Sequence, residues 1–303
     1  MKKYLITLLI VLAVVFIQSK PKYEVGLLLP IEHTALEKIS QGFIEILGKD
    51  RVDLQNGQGD PLIQQAILDT FIRQKYAVIA TIGTDLTAMA TQKTQTIPIV
   101  AIDVTDHIEH KKNITGSRES SVQPSYIFLK TLFPNAKKFA IVYSCSEKNF
   151  ELFEQCKKLA DQDSLTIQPI MVQSLADLYI LANSIEDGVS AIFSSKDNLV
   201  ASGAPILRQI AKEKRIPYIS CDEGTVKNGS CAALGNQEED IGRYTAEIAL
   251  QILNGKKPSE IPMTPIQKQS IFLNPTHCQE QGLEISRVKE IAAEMGIAVK
   301  EIS

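Results

Sequence analysis

Residues 97–103 read IPIVAID, and residues 216–223 read IPYISCDE. Each is an apolar run that opens with Ile-Pro and ends in a carboxylate, and each completes a larger unit. The first is preceded by the apolar run AVIATIG (77–83) and the helix-forming TDLTAMATQKT (84–94). The second is preceded by SAIFSS (190–195) and a helical stretch, NLVASGAPILRQIAKEKR (198–215). The chain therefore contains the same strand–helix–strand unit twice. Such units pair their strands in parallel through right-handed crossovers.

The rest of the chain extends this alternation. YEVGLLL (23–29) reads as a buried strand. In the segment after it, Leu36, Ile39, Phe43 and Leu47 recur at helical spacing before Gly48. RVDLQNG is a short strand, and Asp60-Pro61 supplies a cap and a first-turn proline for the next helix. NITG (113–116) is a short fifth strand. The pattern then restarts with a helix at SVQPSYIFLKTLF, the strand KKFAIVYS and a helix opened by Ser146. The strand SLTIQPIMV, the helix SLADLYILANSI and the strands IPYISC and SCAALG follow. A helix stopped by Gly255, a proline-marked crossover, the strand QSIFLNP and a closing helix complete the chain. Cys221 and Cys231 end and begin successive apolar runs, so they are either paired sheet neighbours or separate buried thiols.

A chain of 303 residues, 44% hydrophobic and 22% charged, exceeds one ordinary core and predicts two lobes of about 100–150 residues. The formal charge of −3 has no basic stripe, which excludes a nucleic-acid footprint. At the N-terminus, Met-Lys-Lys precedes an uncharged apolar run over residues 4–17. That run is shorter than the roughly 20 residues a spanning helix needs, so residues 1–19 are expected to be an export signal or an N-terminal anchor. No cysteine follows the run to carry a lipid. The five cysteines are an odd number, which leaves at least one thiol unpaired.

In order along the chain stand VGLLLPIEHTALEKISQGF, LQNGQGD, ATIGTDLTAMA, IPIVAIDVTD, LFPNAKK, VYSCSE, SSKDNLVAS, IPYISCDEGTVKNGSCAALG and IGRYTAEIALQILNGKKPSEIP. With these motifs the chain resembles the type I periplasmic-binding-protein receptors of ABC importers, in the branch of tryptophan/tyrosine-type and uncharacterised members. The resemblance implies an α/β fold of two Rossmann-like lobes with parallel-sheet cores, joined by a three-crossing hinge. Lobe 1 would hold residues 23–118 and 241–264, and lobe 2 residues 119–240 and 265–303, with a ligand cleft between them. It also implies an extracytoplasmic receptor that closes on a small ligand, an amino acid and in this branch often an aromatic one. A membrane permease is the expected partner, and a monomer is expected.

An amino-acid zwitterion needs an anion site, a cation site and an apolar slot. Thr84 and Thr87 open a helix after a strand, where free N–H groups favour a carboxylate; the alternative is a plain helix cap. The family often has proline after that threonine, whereas Asp85 here adds a negative charge and favours a ligand neutral or cationic at that end. Asp197 and Asn198 open the corresponding helix of lobe 2, as ligand contacts or as caps. Asp222 and Glu223 are the leading candidates for the ligand ammonium, and Asp103 ends the first copy of the repeated strand, for the same purpose or to hold the hinge. Glu32 and His33 follow the first strand, as site or loop residues, and Asn56 and Gln58 follow the second. Tyr143 is a platform for an aromatic ring or part of the core.

Other functions lack their motifs. There is no G-x-S-x-G, P-loop or GxGxxG, so no enzyme and no cofactor is expected. His107 and His110 have HxxH spacing without a third ligand, so no metal is expected. A sensor reporting to a membrane receptor is the rival to transport. NITG also matches a glycosylation signal.

Overall fold

The computed structural model describes residues 23–105, 111–182 and 184–303; residues 1–19, expected to be an export signal or anchor, and the His107/His110 pair lie outside the described residues. The chain divides into two compact units. Among the described residues, one takes in residues 23–118 and Gly242–Thr264, and the other Glu119–Ile241 and Pro265–Ser303.

In the first unit the order is β1 (Val25–Leu29), α1 (Thr34–Leu47), β2 (Val52–Asn56), α2 (Pro61–Arg73), β3 (Val78–Ile82), α3 (Thr84–Lys93), β4 (Ile99–Val104) and β5 (Ile114–Arg118). Local chemistry sets the ends. His33 caps α1 by accepting the Ala35 N–H, and Gly48, at φ 91°, closes it. Asp60 caps α2 ahead of Pro61, whose missing N–H costs nothing in a first turn. The sheet order is β11-β5-β4-β3-β1-β2, where β11 is Thr264–Pro265. Every residue of β1 and β3 is buried, as expected of central parallel strands covered on both faces. Leu28, Ile79 and Ala101 pack with Leu68 and Phe71 of α2 and Leu86 and Ala90 of α3.

The second unit repeats the winding: α4 (Gln123–Leu132), β6 (Lys138–Ser144), α5 (Glu147–Gln162), β7 (Thr166–Val172), α6 (Leu175–Ala182), β8 (Ile192–Phe193), α7 (Asn198–Ser202), α8 (Ala204–Lys214), β9 (Tyr218–Ser220), α9 (Glu223–Asn228) and β10 (Ala232–Gly235). The long helix α10 (Glu238–Leu253) follows, and after β11 come β12 (Ser270–Leu273), α11 (Pro275–Gln281), α12 (Ile285–Met295) and β13 (Ala298–Glu301). The sheet order is β13-β12-β10-β9-β8-β6-β7, parallel except for β10 against β12. One core, with Phe139, Ile141 and Phe193, lies on one face; a second, with Val142, Ile192 and Tyr218, lies on the other. Alternating strand residues thus supply both layers.

Several expectations are corrected. The stretch 198–215 is two helices, because Gly203 ends α7 and Pro205 opens α8, where its missing N–H is tolerated. Helices α9 and α11 arise in stretches that showed no helical periodicity. Asp222 and Asn274 nucleate them by accepting from Thr225 N and His277 N. Of the two readings of Cys221 and Cys231, separate buried thiols is the one that holds. The register sets Ala232 beside Ile219 and Ala233 beside Ser220, and the Cys231 N–H bonds the Tyr218 carbonyl. Three residue steps of roughly 3.3 Å therefore separate Cys221 from Cys231 along the strands, too far for a bridge.

Candidate functional site

Both sheets have the same five-strand order: β2-β1-β3-β4-β5 in the first unit and β7-β6-β8-β9-β10 in the second. The order reverses between β1 and β3 and between β6 and β8. At such a reversal neighbouring crossovers leave on opposite faces, and a crevice opens beyond the carboxyl ends of the strands, where open α/β sheets bind ligands. The loops concerned are 30–33 and 83 in the first unit, and 145–146 and 194–197 in the second.

At the first reversal Glu32 and His33 are exposed, and His33 Nδ1 is committed to its cap, 3.2 Å from Ala35 N. Helix α3 begins after Gly83, which has no side chain with which to cap it. That terminus keeps the positive end of a helix dipole, suited to an anion. Thr84 is half-buried; its hydroxyl accepts from Thr105 N at 3.0 Å and lies 3.2 Å from Thr105 Oγ1. Thr87 is fully buried, contrary to its expected place in an anion site. Its hydroxyl donates to Gly83 O and meets Thr81 Oγ1, both at 2.8 Å, so it braces the turn from within. Asp85 is exposed in the first turn of α3. Asn56 accepts from Gln58 N at 2.8 Å and shapes its own loop.

Asp103, next to last in β4, has φ 54°, a backbone conformation that non-glycine residues seldom adopt, and the β4–β5 register is irregular there. Its N–H donates to Ser117 Oγ at 2.9 Å. The irregularity re-aims the strand end beside the Thr84–Thr105 pair.

In the second unit Asp197 is 4% exposed and accepts three N–H groups: Leu199 and Val200 on Oδ1, at 3.0 and 3.2 Å, and Ser144 on Oδ2 at 2.6 Å. It joins the end of β6 to the start of α7. Asn198 beside it is exposed. Tyr143 is 5% exposed and stacks on Phe153, with ring centroids 4.4 Å apart and planes at 13°, so one of its faces belongs to the core. Burial raises the Tyr143 pKa and keeps the phenol neutral. Asp222 is half-buried and caps α9, and Glu223 is half-buried next to it.

Sequence spacing did not reveal that Glu223, Glu238 and Glu239 come together, with one oxygen of each within 4.8 Å of the others. The start of α10 brings the last two there, and no local pattern encodes that meeting. Phe150 of α5 is 49% exposed, its ring centroid 6.3 Å from that of Phe153. An open depression of about 510 Å³, lined by Tyr126, Lys130, Asp163 and Arg287, lies on the same unit but includes no strand-end candidate.

Two α/β units of identical winding, connected by three passages of the chain, define the type I periplasmic-binding-protein class of solute receptors. The chain belongs to the ABC transporter substrate binding protein family, whose model matches residues 24–295. It is 29% identical over 275 residues to the tyrosine-binding protein of Clostridioides difficile, covering 84% of this chain and 80% of that one. Among solved structures it is similar to the ligand-free, open form of a substrate binding protein with adhesive properties from Clostridium difficile (TM-score 0.78, 27% identity, 92% of this chain and 99% of that one). A domain from Streptococcus pneumoniae in complex with L-Trp shares the fold at TM-score 0.73 and 23% identity, covering 92% of this chain and 100% of that one.

Proposed function

We propose that this protein is the extracytoplasmic receptor of an ABC importer and captures an aromatic amino acid by closure of its two units. The observation that carries this is the repeated winding: each unit ends the strands flanking its reversal point in polar groups, and the tyrosine-binding relative spans most of the chain. The ligand carboxylate is assigned to the uncapped start of α3 with Thr84, the ammonium to Asp222 and Glu223, and Asp103 to the same cation. Asp85, Glu32, His33 and Asn198 line the approaches, and Tyr143 backs the ring slot. Asp197 acts at this site by fixing the β6–α7 connection rather than by direct contact, since its oxygens already accept three N–H groups.

A ligand that binds only the native state raises the melting temperature by mass action, so a thermal-shift panel of the common amino acids, followed by calorimetric titration, tests the assignment. Stabilisation by tyrosine, tryptophan or phenylalanine, and not by aspartate or lysine, is the expected pattern. A panel in which no amino acid shifts the melt overturns it. Co-purification of the loaded protein with a membrane permease, rather than with a receptor kinase, tests the importer role.

A further inference from the structure

We propose that Cys231 and Cys278 form a disulfide when this protein folds in an oxidising compartment, stapling β10 to helix α11. Both thiols are free and fully buried. Each also reaches the other's backbone segment: Cys278 Sγ lies 3.4 Å from the Cys231 carbonyl, and Cys231 Sγ lies 3.5 Å from the His277 carbonyl. Each sulfur thus lies against the backbone at or next to the other cysteine, the neighbourhood from which side-chain rotation can bring two sulfurs to the roughly 2.05 Å of a bridge. Cys156 and Cys221 are also buried, but the Cys221 thiol points to the Ser194 carbonyl at 3.5 Å, and Cys145 is exposed.

Oxidation of this pair leaves no polar group stranded. The Cys231 thiol donates to Gln281 Oε1 at 3.1 Å, but that oxygen also accepts from Tyr218 N at 2.9 Å. The Cys231 carbonyl, contacted by the Cys278 thiol, keeps the Asn274 N–H at 2.9 Å. Removing both S–H donors therefore costs the surrounding network little.

Burial fixes when the bond forms. In the folded protein the Cys231 thiol is held well above its ordinary pKa by desolvation and by Cys278, so almost no thiolate is present to react. In the unfolded chain both thiols ionise normally. One thiolate attacks the disulfide of an oxidant such as oxidised glutathione or a thiol oxidoreductase, giving a mixed disulfide and releasing one thiol. The second protein thiolate displaces the remaining oxidant sulfur. The protein loses two thiol protons and two electrons, and the oxidant disulfide becomes two thiols. Export supplies such a compartment in the cell and rests on the function proposed above, but the chemistry in vitro does not.

The test refolds the full chain from denaturant and reductant into a mixture of reduced and oxidised glutathione. Free thiols are then alkylated under denaturing conditions, and the product is mapped by mass spectrometry without reduction. The expected result is alkylation at Cys145, Cys156 and Cys221 only, with a linked peptide pair carrying Cys231 and Cys278. Native protein that was folded while reduced should acquire the link at least tenfold more slowly. Alkylation of all five cysteines, or a bridge through Cys156 or Cys221, overturns the proposal. In Cys278→Ala the link must vanish with no replacement; if that variant does not fold, the wild-type map decides alone. No ligand enters either readout, so failure of the receptor function and failure of the disulfide are distinguished.

Discussion

Asp222 grips Thr225 twice: its Oδ1 accepts the Thr225 N–H and its Oδ2 accepts the Thr225 hydroxyl, both at 2.7 Å. The residue assigned to the ligand ammonium is thus also the cap of α9, and the two roles have to be separated. Asp222→Asn keeps a cap of similar strength while removing the charge. Its expected effect is a loss of ligand affinity of about tenfold or more, the weight of one charge-assisted hydrogen bond, with little change in melting temperature. Asp222→Ala should lose the affinity and in addition about 1 kcal/mol of stability from the cap. Calorimetric titration with the best amino acid of the thermal-shift panel decides, and unchanged affinity in the Asn variant removes Asp222 from the site.

His277 gives the second unit an acid-sensitive point. It is 4% exposed, Nδ1 lies 3.1 Å from the Ser230 carbonyl, and burial lowers its pKa below 6.5, with Arg208 adding to the effect. The unfolded chain takes up this proton near pH 6.5 and the folded chain resists it, so stability rises with pH across that window. It should fall as pH drops below 6.5 and level off, for this group, below the folded value. Glu280, held below 4.5 by Arg208, loses its contribution in a lower, separate range. Urea midpoints at pH 7.5 and 5.5 read the slope. His277→Gln should flatten it whatever it does to the absolute midpoint, and an equal slope in both proteins refutes the assignment.

Asn113 fits a glycosylation signal but cannot serve as one in the folded protein. It is 8% exposed and its amide donates to the Thr94 and Ile97 carbonyls at 3.2 and 2.9 Å, holding the loop between α3 and β4. Asn113→Ala should cost about 2 kcal/mol, because two largely buried carbonyls lose their donor. A denaturant melt checks this, and a loss near zero would mean that water replaces the amide.

Gly242 is required by close backbone contact. A Cβ built there would sit 1.9 Å from the Ile39 carbonyl and 2.6 Å from Phe43 N, both main-chain atoms of α1 that cannot swing aside. Gly242→Ala should therefore destabilise by about 3 kcal/mol or more, above the usual range for overpacking a side chain. Soluble yield and melting temperature report it, and a variant that melts like the wild type would show that the α1–α10 contact slides freely.

What was legible was where strands end and which polar residues stand there. AVIATIG and IPIVAID announced β3 and β4, and Thr84 was a candidate because a helix begins after β3, Asp103 because it stands at the end of the second run. What each of those residues does was not legible. Thr87 follows Thr84 by three residues and looked equivalent, yet helical rotation turns it inward to Thr81. Asp197 looked like any cap until β6, far away in the chain, brought Ser144 N against it. Glu238 and Glu239 gave no sign of approaching Glu223, since the meeting depends on where α10 starts.

By itself, the sequence determined most of the elements and many of their ends, the short helices α9 and α11 and the break at Gly203 excepted. Period, caps such as Asp60 and Ser146, and stops such as Gly48 act within a few residues of where they stand. The tertiary structure alone decided strand order, and with it the reversal points, the separation of Cys221 from Cys231 and the meeting of Cys231 with Cys278. Those depend on sheet register and on packing between segments far apart in the chain, for which no local spacing carries a signal.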